Sequence, residues 1–174
     1  MQILDKTFEP FISEDSILNV IEKMAAEINA KYTDKELIFL SVLNGSFMFA
    51  SDLLKHISIS CQISFLRVSS YEGIKSNQSI NEVFGLESNI QNKHVIILED
   101  IIDTGHTIDF LHSKVLNQNP LSLKVATLLF KPNCFKGFKK PDFIGFEIPD
   151  NFVVGYGLDY NQFGRNTREI YKLN

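Results

Sequence analysis

Within residues 95–108, VIILEDIIDTGHTI, three acids and a group of small hydroxyl-bearing residues fall at a spacing suited to sugar-phosphate chemistry. Glu99 and Asp100 follow the apolar run 95–98, and Asp103 precedes Thr104, Gly105, His106 and Thr107. A short apolar run bounded by acids reads as a strand buried on both faces. Ile108, Leu111, Val115 and Leu116 then recur at helical spacing, so the turn runs into a helix N-terminus. Unpaired backbone N–H groups and the positive end of the helix dipole make such a position a seat for phosphate. Gly105 permits close approach of the backbone, and the Thr104 and Thr107 hydroxyls can donate to phosphate oxygens. Carboxylates beside a phosphate seat repel the ligand unless the charges are separated or neutralised. A sugar phosphate meets that condition: the loop takes the phosphate, and the acids accept from ribose hydroxyls or hold Mg²⁺, directly or through water. The competing reading is a plain strand-to-helix turn, because Asp-Thr-Gly alone is common turn material. The strand before it and the helix after it favour the ligand site.

The elements on either side must bring further groups to the same edge. Ser13 is placed to cap a helix whose first turn carries Glu14 and Asp15, with Ile17, Val20, Ile21, Met24, Ala25 and Ile28 in one stripe. Residues 37–43, LIFLSVL, form a second buried strand that ends at Asn44-Gly45-Ser46. A helix follows with Phe47, Ala50, Leu53, Leu54 and Ile57 expected inward, and residues 61–69 read as the next strand. From Ser70 to about Lys93 the chain is polar with little periodicity. So long a connection between core strands is expected to be a mobile lid, with a surface hairpin as the alternative. Asn119-Pro120 stops the helix after the acidic segment, residues 124–130 make another buried strand, and Lys131 stands at its end. Residues 143–148 and 153–160 read as strands around a turn at Pro149-Asp150, with Gly155 and Gly157 allowing close backbone approach. Alternating strands and helices of this kind imply an α/β fold, a mostly parallel sheet flanked by helices, with ligands along the carboxyl edge of the strands.

The segment 95–108, with the turn at 43–45 and the run DFIGFEIPDNFVVGYGLDYNQFGRN, resembles the type I phosphoribosyltransferases and, within them, the hypoxanthine(-guanine) group. The resemblance covers nearly the whole chain, though the tail beyond Asn166 matches only loosely. It implies a single domain over residues 1–174 with a flexible lid at about 70–93. A small hood over the active site would come from about residues 141–174 with the N-terminal residues. It implies transfer of the phosphoribosyl group of phosphoribosyl pyrophosphate (PRPP) to N9 of hypoxanthine or guanine, giving IMP or GMP and pyrophosphate, with Mg²⁺ as cofactor.

Carried over residue by residue, the resemblance gives Asp103 the contact with purine N7, as acid/base or as orienter. Glu99 and Asp100 take the ribose hydroxyls and metal environment, and the loop Asp103–Thr107 takes the 5′-phosphate. Leu43, Asn44, Gly45, Ser70, Tyr71 and Arg165 fall to pyrophosphate, through the backbone at the Leu-x-Gly turn and through a planar guanidinium at Arg165. The Leu43–Asn44 peptide is expected cis. Lys131 would donate to the exocyclic O6 of the purine, Phe152 would stack on its ring, and Val153 would read its edge by backbone. Asp159 would hold a second Mg²⁺ or lie behind the base. Among 15 Phe, a core role for Phe152 remains the alternative. Two positions depart from the pattern: Asn44 where the family often has a basic residue, and His106 where it often has lysine. An imidazole donates to phosphate but carries charge only part of the time near neutrality, so 5′-phosphate affinity is expected to weaken as pH rises.

Composition narrows the alternatives. The 174 residues are 44% hydrophobic and 22% charged, with net charge −4 and pI about 5.6, which argues against wholesale binding of nucleic acid or an anionic membrane. No apolar run reaches the roughly 18 residues that span a bilayer, and the N-terminus lacks a signal-peptide pattern, so a cytoplasmic protein without membrane or nucleic-acid partners is expected. Cys61 and Cys134 fit inert thiols in a reducing compartment. The family implies a homodimer or homotetramer. A xanthine- or adenine-preferring relative is the nearest rival, and Lys131 argues against adenine because an ammonium cannot accept from a 6-amino group. A PRPP-sensing regulator that binds RNA or DNA is the rival of another class; it would show a basic face or an added DNA-binding module, and neither is evident in this acidic chain.

Overall fold

The computed structural model describes residues 1–70, 80–84 and 89–174, with residues 69–70 and 80–84 given as backbone alone. At the centre of its larger sheet are three strands whose apolar runs are too continuous for a half-solvated surface: β3 (Leu37–Leu43), β6 (His94–Ile102) and β7 (Ser122–Phe130). β4 (Cys61–Ser70), with Ile63 and Phe65 exposed, and β8 (Phe143–Glu147) flank them in parallel, and β5 (Ile80–Phe84) is antiparallel to β4 at one edge. The order is β5-β4-β3-β6-β7-β8.

Side chains alternate across this sheet and build two cores. Leu37, Phe39, Ile96 and Leu98 face α1 (Glu14–Lys31) and α2 (Phe47–Lys55), meeting Ile17, Ile21, Ile28, Phe49 and Leu53. Ile38, Leu40, Val95 and Ile97 face α3 (His106–Leu116), meeting Ile108, Leu111 and Val115. Each fully buried Leu or Ile contributes about 1.5–3 kcal/mol. Ser13 caps α1 as expected, its Oγ accepting the Ser16 N–H at 3.4 Å.

A smaller sheet, β1-β2-β10-β9, joins the two ends of the chain: β1 (Gln2–Ile3), β2 (Lys6–Ile12), β9 (Val153–Val154) and β10 (Ile170–Leu173). Its own core is Ile3, Phe8 and Val154, with Tyr160, Tyr171 and Leu173 packed around them.

Several sequence expectations need correcting. Residues 143–148 and 153–160 do not form two strands around one turn. β8 extends the large sheet, and the later segment forms a ladder only at Val153–Val154; beyond it Gly155, Tyr156 and Gly157 all take positive φ and only the isolated bridges Gly155–Leu158 and Tyr160–Phe163 remain. Phe47 is 43% exposed whereas Phe49 is fully buried. As the first residue of α2, Phe47 lies beyond the end of β3, where no sheet remains to cover it. Leu116 is likewise exposed, because the buried stripe of α3 runs through Ile108, Leu111 and Val115 and position 116 lies about 100° around the helix. β6 extends past the apolar run, so Glu99 and Asp100 lie inside the strand, and α3 starts at His106, after the loop Asp103–Gly105. Within the stretch expected to be a lid, residues 80–84 pair with β4, while Tyr71 and the rest of 71–79 and 85–88 lie outside the described residues, as does the Ser70 side chain.

The start of β8 is locked electrostatically. Asp142 accepts from Lys124 Nζ at 2.7 Å and from the Val125 N–H at 3.0 Å, and its own N–H donates to the Val125 carbonyl at 2.8 Å. Burial pushes the Asp142 carboxyl up, but the Lys124 and Val125 hydrogen bonds outweigh it and hold the group below its ordinary value. A carboxyl depressed on folding stabilises the protein above its unfolded pKa, and that contribution disappears as pH falls through the folded value. Asp142→Asn is therefore expected to lower stability by about 1–2 kcal/mol at pH 7. It should also flatten the loss of melting temperature between pH 5 and 3. A variant melting curve with the same acid dependence as the wild type would refute this role.

Candidate active site

The chain leaves β3 for β4 on one side and returns to place β6 on the other, so the strand order reverses between β3 and β6. In open α/β sheets this reversal opens a crevice at the carboxyl edge. A cavity of about 260 Å³ lies there, lined by Leu43, Asn44, Gly45, Glu99, Asp100, Thr107, Asp159 and Arg165 among others. A smaller one of about 110 Å³ adjoins it, lined by Asp103, Thr104, Gly105, His106 and Thr107 and sharing Glu99 and Thr107 with the first.

The turn at the end of β3 is held from beneath. Ser46 Oγ donates to the Val42 carbonyl at 2.6 Å and lies 2.7 Å from Ser41 Oγ. The Leu43–Asn44 peptide is cis, as the resemblance implied. The Asp100 carboxylate rests so close to Gly45 that any Cβ at position 45 would overlap it. A helix start suited to an anion comes from α3: Gly105, in the left-handed region with φ 91°, precedes the helix, so the amides of the first turn have no helical partners and lie at the lining of the smaller cavity. His106 is exposed at this position.

Glu99 is buried, and its Oε2 has no hydrogen-bond partner among the described residues. Burial pushes its carboxyl well above the usual carboxylate range, and the Asp100 charge adds to the shift. Burial also raises Asp100, to about 6, against the pull of backbone N–H groups and Arg165 and with a further push from Asp159. Two neighbouring carboxyls that resist ionisation, one with an orphaned oxygen, suit a divalent cation or a cluster of hydroxyl donors.

Across the cavity, Asp159 Oδ1 pairs with Arg165 Nη2 at 2.6 Å, and Arg165 Nη1 donates to the Gly157 carbonyl at 2.7 Å. The Arg165 fork thus reaches the cavity already fastened to the loop that carries Asp159. Gly157 in turn presses on the turn at β3: with φ 99°, its missing Cβ would overlap the Gly45 carbonyl oxygen. Tyr156 is buried beside it and donates from its hydroxyl to Asp52 Oδ2 at 2.5 Å, tying the same loop to α2. The sequence read Gly157 only as a site of close approach and gave Tyr156 and Asp52 no role.

The other end of the crevice is built around Lys131, which is 6% exposed. Its Nζ donates to Asp103 Oδ2 at 3.0 Å and to Asp150 Oδ1 at 3.1 Å. Phe152 is 47% exposed and so is not a core residue. Its ring lies 5.9 Å from Tyr160, edge-on, and 6.3 Å from Phe8 of β2. Leu173 N–H holds the Phe152 carbonyl at 2.9 Å, and Val153 pairs with Lys172 of β10. Asp103, Cys134 and Asp150 form a group with metal-ligating atoms within 4.8 Å of one another. The Lys131 ammonium, bonded to both of these carboxylates, already supplies the cation there.

A sequence profile of the family described as phosphoribosyl transferase domain matches residues 13–161. The chain belongs to the phosphoribosyltransferase family. As a phosphoribosyltransferase it is a glycosyltransferase-type enzyme, and its relatives include hypoxanthine-guanine phosphoribosyltransferases. That of Staphylococcus epidermidis is 41% identical over 163 residues, 93% of this chain and 91% of the relative. That of Aquifex aeolicus is 36% identical over 174 residues, 99% of this chain and 98% of the relative. The crystal structure of a hypoxanthine phosphoribosyltransferase from Staphylococcus aureus matches with a TM-score of 0.91 and 38% identity, covering 98% of this chain and 93% of that one. Among the described residues of this phosphoribosyltransferase, no helix is long and apolar enough to cross a membrane.

Proposed function

We propose that this phosphoribosyltransferase works in purine salvage, joining N9 of a 6-oxopurine, hypoxanthine or guanine, to C1 of PRPP and releasing pyrophosphate with IMP or GMP. The observation that carries this reading is the buried Lys131 ammonium bonded to Asp103. One residue offers only donors at the base end, and the other opens the loop that seats the 5′-phosphate. An all-donor group suits the exocyclic oxygen of a 6-oxopurine and not the 6-amino group of adenine. The names of the relatives support the same substrates.

In this reading, the 5′-phosphate occupies the amides of residues 104–107 with the Thr104 and Thr107 hydroxyls. Pyrophosphate lies against Leu43, Asn44 and Gly45 and the Arg165 guanidinium, with Ser70 and Tyr71 also assigned to it. Glu99 and Asp100 orient the ribose hydroxyls. Phe152 stacks on the purine, and the Val153 backbone reads its edge. As N9 bonds to C1, the bond to pyrophosphate breaks and the N7 proton has to leave; the Asp103 carboxylate is the group placed to take it. Glu99, Asp100 and Asp159 would hold Mg²⁺, which when bound offsets the negative charge of the departing pyrophosphate. The small sheet is the hood that carries the base-binding residues, and the protein is a homodimer or homotetramer.

Product formation from PRPP and Mg²⁺ with hypoxanthine, guanine, xanthine and adenine in parallel tests the reading. Turnover with hypoxanthine or guanine is expected. Turnover with adenine alone, or with none of the four, would overturn it. At the phosphate loop, the exposed His106 imidazole is placed to donate to the 5′-phosphate, so His106→Ala is expected to weaken PRPP binding several-fold. An unchanged PRPP affinity in that variant would remove the role of this imidazole.

A further inference from the structure

Lys131 has two carboxylate partners, and the reaction as described uses only Asp103. The second, Asp150, lies in the segment between β8 and β9, two residues before Phe152. An ammonium has three N–H donors. Asp103 takes one at 3.0 Å from the phosphate-loop side and Asp150 takes another at 3.1 Å from the hood side, so a single donor is left for a ligand. A lysine stem is flexible, and the direction of that last N–H depends on both partners. The burial is one-sided: the Lys131 side chain is 8% exposed and that of Asp150 is 70% exposed. Burial pulls the Lys131 pKa down, and the hydrogen bonds to Asp103 and Asp150 outweigh it, holding the group above its ordinary value. If Asp103 were the only counter-ion, its turning toward purine N7 would leave a buried cation unpaired.

We propose that Asp150 is a positioning residue that anchors the Lys131 ammonium and aims its free N–H at the exocyclic oxygen of the base, releasing Asp103 for N7. Because Asp150 shares its segment with Phe152 and Val153, the same ion pair sets the separation between the stacking face and the donor. This role rests on the reading of the site as one for a 6-oxopurine.

The test is a double-mutant cycle on Asp150→Asn and Lys131→Met, with Asp150→Glu as the conservative variant. Asp150→Asn is expected to raise KM for hypoxanthine by about tenfold or more while KM for PRPP stays within about twofold. In the Lys131→Met background the same change should add nothing, whereas independent effects that multiply would overturn the proposal. Asp150→Glu should restore most of the loss. A readout independent of turnover is the rate at which acetic anhydride labels Lys131, followed by peptide mass spectrometry against Lys124 as internal reference. Asp150→Asn is expected to raise that rate several-fold, and equal rates in the two proteins would refute the proposal. Wild-type protein without turnover on any purine would overturn the substrate reading, while the labelling rate would still decide whether Asp150 holds Lys131.

Discussion

In Asp103→Asn, turnover is expected to fall by about 10²- to 10³-fold while the dissociation constant for PRPP stays within about threefold. The asymmetry follows from the position of the side chain. Asp103 opens the loop proposed to hold the 5′-phosphate, but the seat would be made of backbone amides and threonine hydroxyls that the substitution leaves in place. An asparagine oxygen can still accept from Lys131, and Asp150 remains as the counter-ion of that lysine, so the base end keeps its shape. What asparagine lacks is a site for the N7 proton as the glycosidic bond forms. Single-turnover rates together with equilibrium binding of PRPP separate the two quantities. Equal losses in both would assign Asp103 to holding the loop and remove it from the chemistry.

The acid-rich loop was legible in the sequence because its logic is local. Strand, carboxylates, small residues and helix start follow one another within fourteen residues, and a phosphate seat requires little more. The parallel sheet was legible for a related reason, since strands buried on both faces leave largely apolar runs at residues 37–43 and 124–130, with only Ser41, Lys124 and Thr127 polar. What escaped depends on contacts between distant segments. Gln2–Ile3 pairs with Lys6–Ile12 next to it, but Lys6–Ile12 joins the rest of the small sheet by pairing with Ile170–Leu173 at the far end of the chain, and neither end shows a strong alternation. Val153–Tyr160 was read as one strand because Val, Tyr and Leu favour strands. The positive φ at Gly155, Tyr156 and Gly157 is imposed by packing against residues 45 and 167–169, which propensity cannot see. Asp150 was read as turn material for the same reason: its partner, Lys131, is 19 residues away. Phe152 could have been core or platform in the sequence, and its exposure at 47% removes the core reading and leaves the purine contact as a proposal.

Gly157→Ala carries the largest expected loss on the pyrophosphate side. At φ 99° a Cβ is strained by about 1–2 kcal/mol, and here it would also overlap the Gly45 carbonyl oxygen, a backbone atom that cannot rotate away. Relief requires the loop 155–159 to move off the turn at β3. That motion would carry Asp159 and Arg165 with it, because the Arg165 N–H groups and carbonyl are bonded to Gly157. The expected result is a stability loss of about 2–4 kcal/mol and a fall in melting temperature of about 5–15 °C. PRPP binding should weaken by about tenfold or more as the Arg165 donors leave the cavity. Gly164→Ala provides the comparison. It has a similar φ of 92°, but its Cβ would meet only the end of the Ile3 side chain, which can turn aside. That variant should lose about 1–2 kcal/mol of stability and bind PRPP as the wild type does. If both variants lose PRPP affinity alike, the effect is general destabilisation. If neither does, the contact between Gly157 and Gly45 does not shape the site.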